Sequence, residues 1–435
     1  MNDKQIKDYG QTEFTRWITA AESAFTEVET EYTEAREYYE SMQVPTTAPK
    51  NKEYVEENLI TDLINGLTGQ LIGGEVSIEI VGGGDFNTPI KELATDILQR
   101  NFFMERHVEP ITNMFYTEGM GGIYTLYNPF KVSQYGIGMP VIHHLLTSEG
   151  ELLLDPDSRG FMHEDDTYRI FKQSRLVEYL EKKYPHLKGK IQPSNRKNAK
   201  TSSGGEKYAD LYIIEFRTTE FARVGDLKNK KLLESFSEDA KVEIEQYWEA
   251  EMVNATDLAA GSRLTGFSRF KLQPVIHTTR LKSQRLPMGM YKLVKGKQDQ
   301  INTIGTVALE AVKADIKNLL VIFGATEGEK KQVEREAAKT NAVIALTSEG
   351  GKLMQMERKP ISPAIMQWYE WQRKSFDEVS GRYAPERGAT DVGLSGRAIG
   401  FLQQRGVVPE LTKKLHLEYA FTEMVQVILE CVGHK

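Results

Sequence analysis

GSRLTGFSRFKLQPVIHTTRLKSQRLPMGMYKLVKGKQ, residues 261–298, carries nine basic side chains and no acid: Arg263, Arg269, Lys271, Arg280, Lys282, Arg285, Lys292, Lys295 and Lys297. Asp257 and Asp299 are the nearest acids on either side. The whole chain has a formal net charge of -7, so this run stands against the global balance. Phe267, Phe270, Leu272, Val275 and Ile276 are interleaved with the charges, which predicts ordered strand and loop rather than a loose tail. The continuation, DQINTIGTVALEAVKADIKNLLVIFGA (299–325), changes character. Ile301, Ile304, Val307, Ala308, Ala311, Val312, Ile316 and Leu319 recur at three- and four-residue spacing, as on one face of a helix. About 30 residues of helix would span roughly 45 Å, the length of a structural strut. Gly305, Ala308, Ala311 and Ala314 on that stripe predict the close approach of a neighbouring helix.

Outward from this stretch the chain alternates helix and strand. Its 435 residues leave room for two or three ordinary domains or one large irregular one. Residues 12–42 read as a long helix with Phe14, Trp17, Ile18, Ala21, Phe25, Val28, Tyr32 and Ala35 on its apolar face. A second helix is expected over 54–72, a strand over 76–81, and a third helix from Thr88-Pro89 to Tyr116, broken near Pro110. Strands and turns follow to about residue 175, then a short helix over 176–184. Residues 188–207, polar and rich in Ser and Gly, read as a linker. Beyond it come a strand at 211–224, an acidic middle, the basic run, and the long helix. Helices at 329–339 and 364–379, a strand in NAVIALTS (341–348) and a final helical region complete the pattern.

Composition excludes several classes. No apolar stretch approaches the roughly 20 residues of a membrane span, and the N-terminus has no apolar core of a secretory signal. The one cysteine, Cys431, rules out an intramolecular disulfide framework, fits a reducing compartment, and sits in an apolar helix where packing is its expected role. Gly82-Gly83-Gly84, Gly296-Lys297 and Gly351-Lys352 lack the spacing and following hydroxyl of a phosphate-binding loop, and no nucleophile elbow is present. His143, His144, Asp155, Asp157, His163, Glu164, Asp165 and Asp166 are the one group with metal-ligand chemistry. Adjacent His143 and His144 on a strand face opposite ways, and Asp155-Pro156-Asp157 is ordinary turn chemistry. No metal and no cofactor is therefore expected. Trp368 and Trp371, three residues apart, predict core or interface packing rather than base stacking. The basic run is a candidate for sequence-independent, salt-sensitive contact with DNA phosphates or an acidic partner.

Four segments, in order, resemble the portal proteins (head–tail connectors) of tailed double-stranded DNA bacteriophages, of the short-tailed type. They are YVEENLITDLINGLTGQLIGGEVSIEIV (54–81); EGMGGIYTLYNPF (118–130) with LLLDPDSRGFMHEDDTYRIFKQS (152–174); PMGMYKLVKGKQDQINTIGTVALEAVKADIKNLLVIFGA (287–325); and FDEVSGRYAPERGATDVGLSGRAIGFLQQRG (376–406). Each alone is weak; order and spacing together carry the likeness. The third resembles the portal helix that begins near a glycine-rich turn and carries Gln and Asn on its polar face. The resemblance implies an α+β portal subunit with wing, long stem helix, small clip and short helical crown, assembling as a ring, expected to be a dodecamer. The implied division is a wing over 1–187, linker and clip over 188–281, and a stem helix over 282–320. A wing return over 321–380, with a channel loop at 356–365, and crown helices over 381–435 follow. Because the chain stops soon after Leu429, no long C-terminal barrel is expected.

By the same resemblance, Glu357, Arg358 and Lys359, with Lys292, Lys295 and Lys297, would line a DNA channel. Arg263, Arg269, Lys271 and Arg280 would lie at the clip and contact terminase or an adaptor. The implied partners are further copies of the chain, non-specific double-stranded DNA, the terminase large subunit, major capsid and scaffold proteins and a tail adaptor. No membrane partner is implied. The place would be a unique vertex of the virion, after assembly in the host cytoplasm. The implied role is non-enzymatic: a conduit for genome packaging and ejection. The alternatives are a metal-dependent DNA-acting enzyme built on the 143–166 cluster, or another head–tail connector component.

Overall fold

The computed structural model describes residues 10–44, 53–72, 79, 87–133, 136–159, 163–194, 207–223, 237, 240–277, 287–316, 319–323, 326–336, 352–356, 362–380 and 396–433. The protein mixes helix and sheet. Helices are α1 (Gln11–Tyr39), α2 (Leu59–Ile72), α3 (Asn87–Arg100), α4 (Glu109–Thr117), α5 (Val177–Lys183), α6 (Met290–Ile316), α7 (Glu327–Glu336), α8 (Pro363–Ser380) and α9 (Gly396–Gly433). Strands are β1 (Met120–Ser133), β2 (Gly136–Leu145), β3 (Leu152–Leu154), β4 (Tyr168–Leu176), β5 (Tyr208–Arg223), β6 (Lys241–Val253), β7 (Asp257–Leu264), β8 (Leu272–Ile276), β9 (Leu319–Phe323) and β10 (Lys352–Met356). The expected strands at 76–81 and 341–348 and most of the 188–207 linker lie outside the described residues.

The chain divides into two compact units: residues 1–40, 61–292 and 404–435, and residues 41–60 and 293–403. The first holds two antiparallel sheets, ordered β3-β4-β5-β6-β7 and β2-β1-β8. Its core forms where α1 lays its apolar face on them. All eight stripe residues of α1 are buried. Trp17 stacks on Tyr168 at 5.0 Å between ring centroids, and Phe14 meets Phe216 at 5.5 Å. Burying side chains of this size contributes about 1.5–3 kcal/mol each before entropy is counted. β5 alternates Tyr212, Ile214 and Phe216 into this core.

Two boundaries differ from expectation. The helix expected unbroken to near Pro110 is interrupted earlier: α3 ends at Arg100, Phe102 takes φ 52°, and a π-helical turn (Met104–Val108) leads into α4. Pro110 sits instead in the first turn of α4, where its missing N–H breaks no hydrogen bond. The second helix starts at Leu59 rather than residue 54, and residues 53–58 stay non-helical.

In the second unit β9 pairs antiparallel with β10, Leu319 opposite Met356. The 27 residues of α6 make a rod of about 40 Å.

Candidate nucleic-acid interface and docking residues

Within the first unit, the turn that leads into α6 is built on backbone that only glycine permits. A Cβ on Gly289 would fall 2.2 Å from the Thr117 carbonyl oxygen. One on Gly119, at φ 89°, would fall 2.1 Å from the Met288 carbonyl carbon. The Tyr32 hydroxyl donates to the Pro287 carbonyl at 2.7 Å, and Tyr38 meets Tyr291 edge-on at 5.2 Å. These contacts are why the PMGM turn precedes the helix.

Along α6 the buried line is Val294, Gln298, Ile301 and Ile304, with Thr306 beside it. Val307 and Val312, expected on the buried stripe, are exposed. The helix packs here on the segment 53–58 rather than on the neighbouring helix expected from its small residues. A Cβ on Gly305 would lie 2.9 Å from Val55 Cγ1. The Glu57 backbone N–H donates to Asn302 Oδ1 at 2.9 Å and that of Val55 to Thr306 Oγ1 at 3.0 Å. Gln298 Nε2 donates to the Glu57 carbonyl. The polar residues of α6 thus satisfy an extended backbone that has no sheet partner there.

Of the channel residues, Glu357, Arg358 and Lys359 lie outside the described residues. Lys292 pairs with Glu31. Lys297 reaches Gln372 Oε1 at 3.4 Å and stands 5.1 Å over the Trp371 ring. At 3.6 residues per turn, Lys292 and Lys295 lie about 60° apart around α6, and Lys297 about 140° from Lys292. Only two of the three lysines share a face.

Arg263, Arg269 and Lys271, expected at the clip, have no acid near them in sequence, yet each meets carboxylates in space; Arg280 lies outside the described residues. Lys271, its side chain 12% exposed, sits between Glu249 and Glu215 (3.4 Å to the latter) and donates to the Tyr124 hydroxyl at 3.3 Å. Glu215 also accepts from the backbone N–H of Lys271 and Leu272, at 2.8 and 3.0 Å, and so fixes the start of β8. Burial pushes the Glu215 carboxyl up, whereas Lys271 and Arg263 hold Glu249 below its ordinary value; the two carboxylates keep Lys271 charged despite its burial. Arg263, with its side chain 62% exposed, joins Glu249 and, at 3.4 Å, Glu251. Arg269 binds Glu423 at 2.8 Å, Glu430 at 3.2 Å and Gln426, tying the end of α9 to the loop before β8.

The 155–166 cluster is organised as a turn. Asp155 accepts from the backbone of Asp157 and Thr167, and Asp165 from Ser158 and the Arg159 backbone. His163 and Asp166 are joined at 2.7 Å, and Asp166 accepts from Arg169 at 2.9 Å. Arg169 also donates to the carbonyls of Leu272 (2.8 Å) and His163 (2.7 Å) and lies 4.6 Å over Phe270. Among the described residues no group of three or more His, Cys, Asp or Glu is placed to hold a metal. Cys431 is buried, which pushes its thiol up to about 12. Trp368 and Trp371, expected to be packed, are 50% and 55% exposed.

Sequence reading missed the two internal hubs, Arg169–Asp166 and Lys271–Glu215–Glu249. One signal was present: Glu215 is a lone acid inside the apolar strand LYIIEF, where an unpaired charge would be untenable.

The described residues form a mixed helix-and-sheet protein, consistent with the expected α+β class. Comparison with known families agrees: the model described as Phage P22-like portal protein matches residues 15–409. The class is therefore that of the phage portal proteins, which are structural and not enzymatic. Within it, the chain belongs to the P22-like portal family, the short-tailed type. Membership implies a homo-oligomeric ring at a capsid vertex. A search of curated proteins finds no match. No helix among the described residues is long and apolar enough to cross a membrane.

Proposed function

We propose that the protein forms the ring-shaped DNA channel at one capsid vertex, through which the genome is packaged and later ejected. In this reading the ring has about a dozen copies and docks a terminase, capsid and scaffold proteins and a tail adaptor. The family match across residues 15–409 carries the proposal. The division into wing (1–187), clip (188–281), stem (282–320), wing return (321–380) and crown (381–435) belongs to the same reading. Lys292 and Lys295, which share a face of α6, would face DNA together with Glu357, Arg358 and Lys359, while Lys297 is turned to Gln372 and Trp371. Repeated around a ring, a few such residues become bands of charge, sufficient for a duplex that must slide rather than bind tightly. Arg263, Arg269, Lys271 and Arg280 would serve the clip. For Lys271 and Arg269 that service would consist of holding the surface in shape, since carboxylates of the same unit already engage them. Arg263, the most exposed of the described three, is the one to meet a partner directly.

Native mass spectrometry with negative-stain images of the purified protein tests the ring. A closed ring with a central hole supports the proposal, and a chain that stays monomeric at all concentrations overturns it. Neutralising Lys292 and Lys295 together should preserve rings while lowering terminase-driven packaging; unchanged packaging removes these lysines from the channel.

A further inference from the structure

α8 is amphipathic only in its second half. Gln372, Phe376 and Ser380 are buried at four-residue spacing, as on one inward face. The first half, PAIMQWYEW (363–371), has five large apolar side chains and no buried position. Met366, Trp368 and Trp371 are each half exposed, and Ile365 and Tyr369 are only partly covered. Exposed apolar area concentrated this way marks an interaction surface.

α6 in the same unit carries a second, different surface. Leu293, Gly296, Gln300, Thr303 and Val307 follow one exposed face and are all uncharged, although lysines flank the line. Of the 17 large hydrophobics exposed among the described residues, seven lie on α6 and α8. The feature is therefore a concentration and not the scatter usual on surfaces.

A ring of identical subunits is held by a heterologous contact, in which one flank of each copy meets a different flank of the next. Such a chain needs two unlike patches, and interface centres favour Trp and Met and avoid charge. We propose that the first half of α8 docks on the exposed face of α6 of the next copy of this chain, with Trp368 and Trp371 as the anchors. Lys297, over the Trp371 ring, fixes that side chain in place before the copies meet. The proposal rests on the ring reading above and adds the surfaces that close the ring.

Tryptophan emission reads the contact directly. The chain has four tryptophans; Trp17 and Trp248 are buried within the subunit, so a change on assembly reports Trp368 and Trp371. Emission should move to shorter wavelength when rings form, should still do so in W17F, and should not in the double variant W368F/W371F. Truncation in W368A/W371A should raise the protein concentration for half-assembly by about tenfold or more. Because Cys431 is buried, added thiols can be cross-linked cleanly. V307C/W368C rings should give a ladder of covalent multimers on oxidation, and neither single variant should. Rings whose emission matches the monomer, or whose double variant gives no ladder, overturn this contact while leaving the ring intact. A chain that never assembles overturns both.

Discussion

The basic residues of 263–271 and those of 292–297 look alike in sequence and differ in the folded chain. In the first group each cation is met by carboxylates from distant strands or from α9, with separations in sequence up to 161 residues. In the second, Lys292 has one glutamate and Lys297 an amide and an indole ring. An acid-free run in sequence is thus not an acid-free surface. Within the first group burial sets Lys271 apart: a Lys that is 12% exposed must bring its counter-charges with it, and one on a helix surface need not.

The comparison breaks most visibly at Lys271. K271M should leave Glu215 and Glu249 buried without their shared cation and cost about 3–5 kcal/mol in chemical denaturation, the usual cost of breaking a buried pair. Adding E215Q should recover part of that loss, because the neutral amide no longer needs the cation. If K271M unfolds at the denaturant concentration of the wild type, the hub has no structural role. Arg169→Ala should be of similar size, since it removes four hydrogen bonds at once, two to the 163–166 turn, one to the Leu272 carbonyl and one to the Gln273 side chain.

Glu118 sharpens the comparison by titration. Its side chain is fully buried, and its ion-pair partner is Arg36 at 2.9 Å. Burial pushes its carboxyl up from 4.5 to about 7 despite that partner. Between these values the folded chain keeps a proton that the unfolded chain has lost. Stability should therefore fall as pH rises from about 4.5 through 7, by about 3 kcal/mol in total at roughly 1.4 kcal/mol per pH unit. E118Q should remove this slope. The difference between wild type and E118Q, followed by thermal denaturation from pH 4.5 to 8, isolates it from other carboxylates; a constant difference refutes the assignment.

Much of the fold was legible because periodicity reports burial locally. The eight stripe residues of α1 all enter the core, and α8 and β5 begin within a few residues of their expected starts. What periodicity cannot carry is the identity of the surface that a face meets. Gly305 announced close packing, but the partner is an extended segment 250 residues earlier, held by Asn302 and Thr306. The tryptophans of α8 read as core or interface packing, and only the burial of the subunit separates the two: it leaves them half exposed. The basic charge of the candidate site was legible and its pairing was not: whether Arg269 is free depends on Glu423 and Glu430, which no local window contains.

The smallest effect should come from Arg263, proposed for the clip and at the other extreme from Lys271 in exposure. Its guanidinium joins Glu249 and Glu251, yet its side chain is 62% exposed, so solvent and salt screen both contacts. Glu249 keeps Lys271 when Arg263 is removed, so no buried charge is stranded. R263A should therefore lower stability by no more than about 1 kcal/mol, and less at high salt. A loss as large as that of K271M would mean that Glu249 depends on both cations equally. With stability nearly intact, R263A also becomes the clean variant for the clip: rings should form normally, and any loss of terminase or adaptor docking would then reflect the missing surface charge rather than a damaged fold.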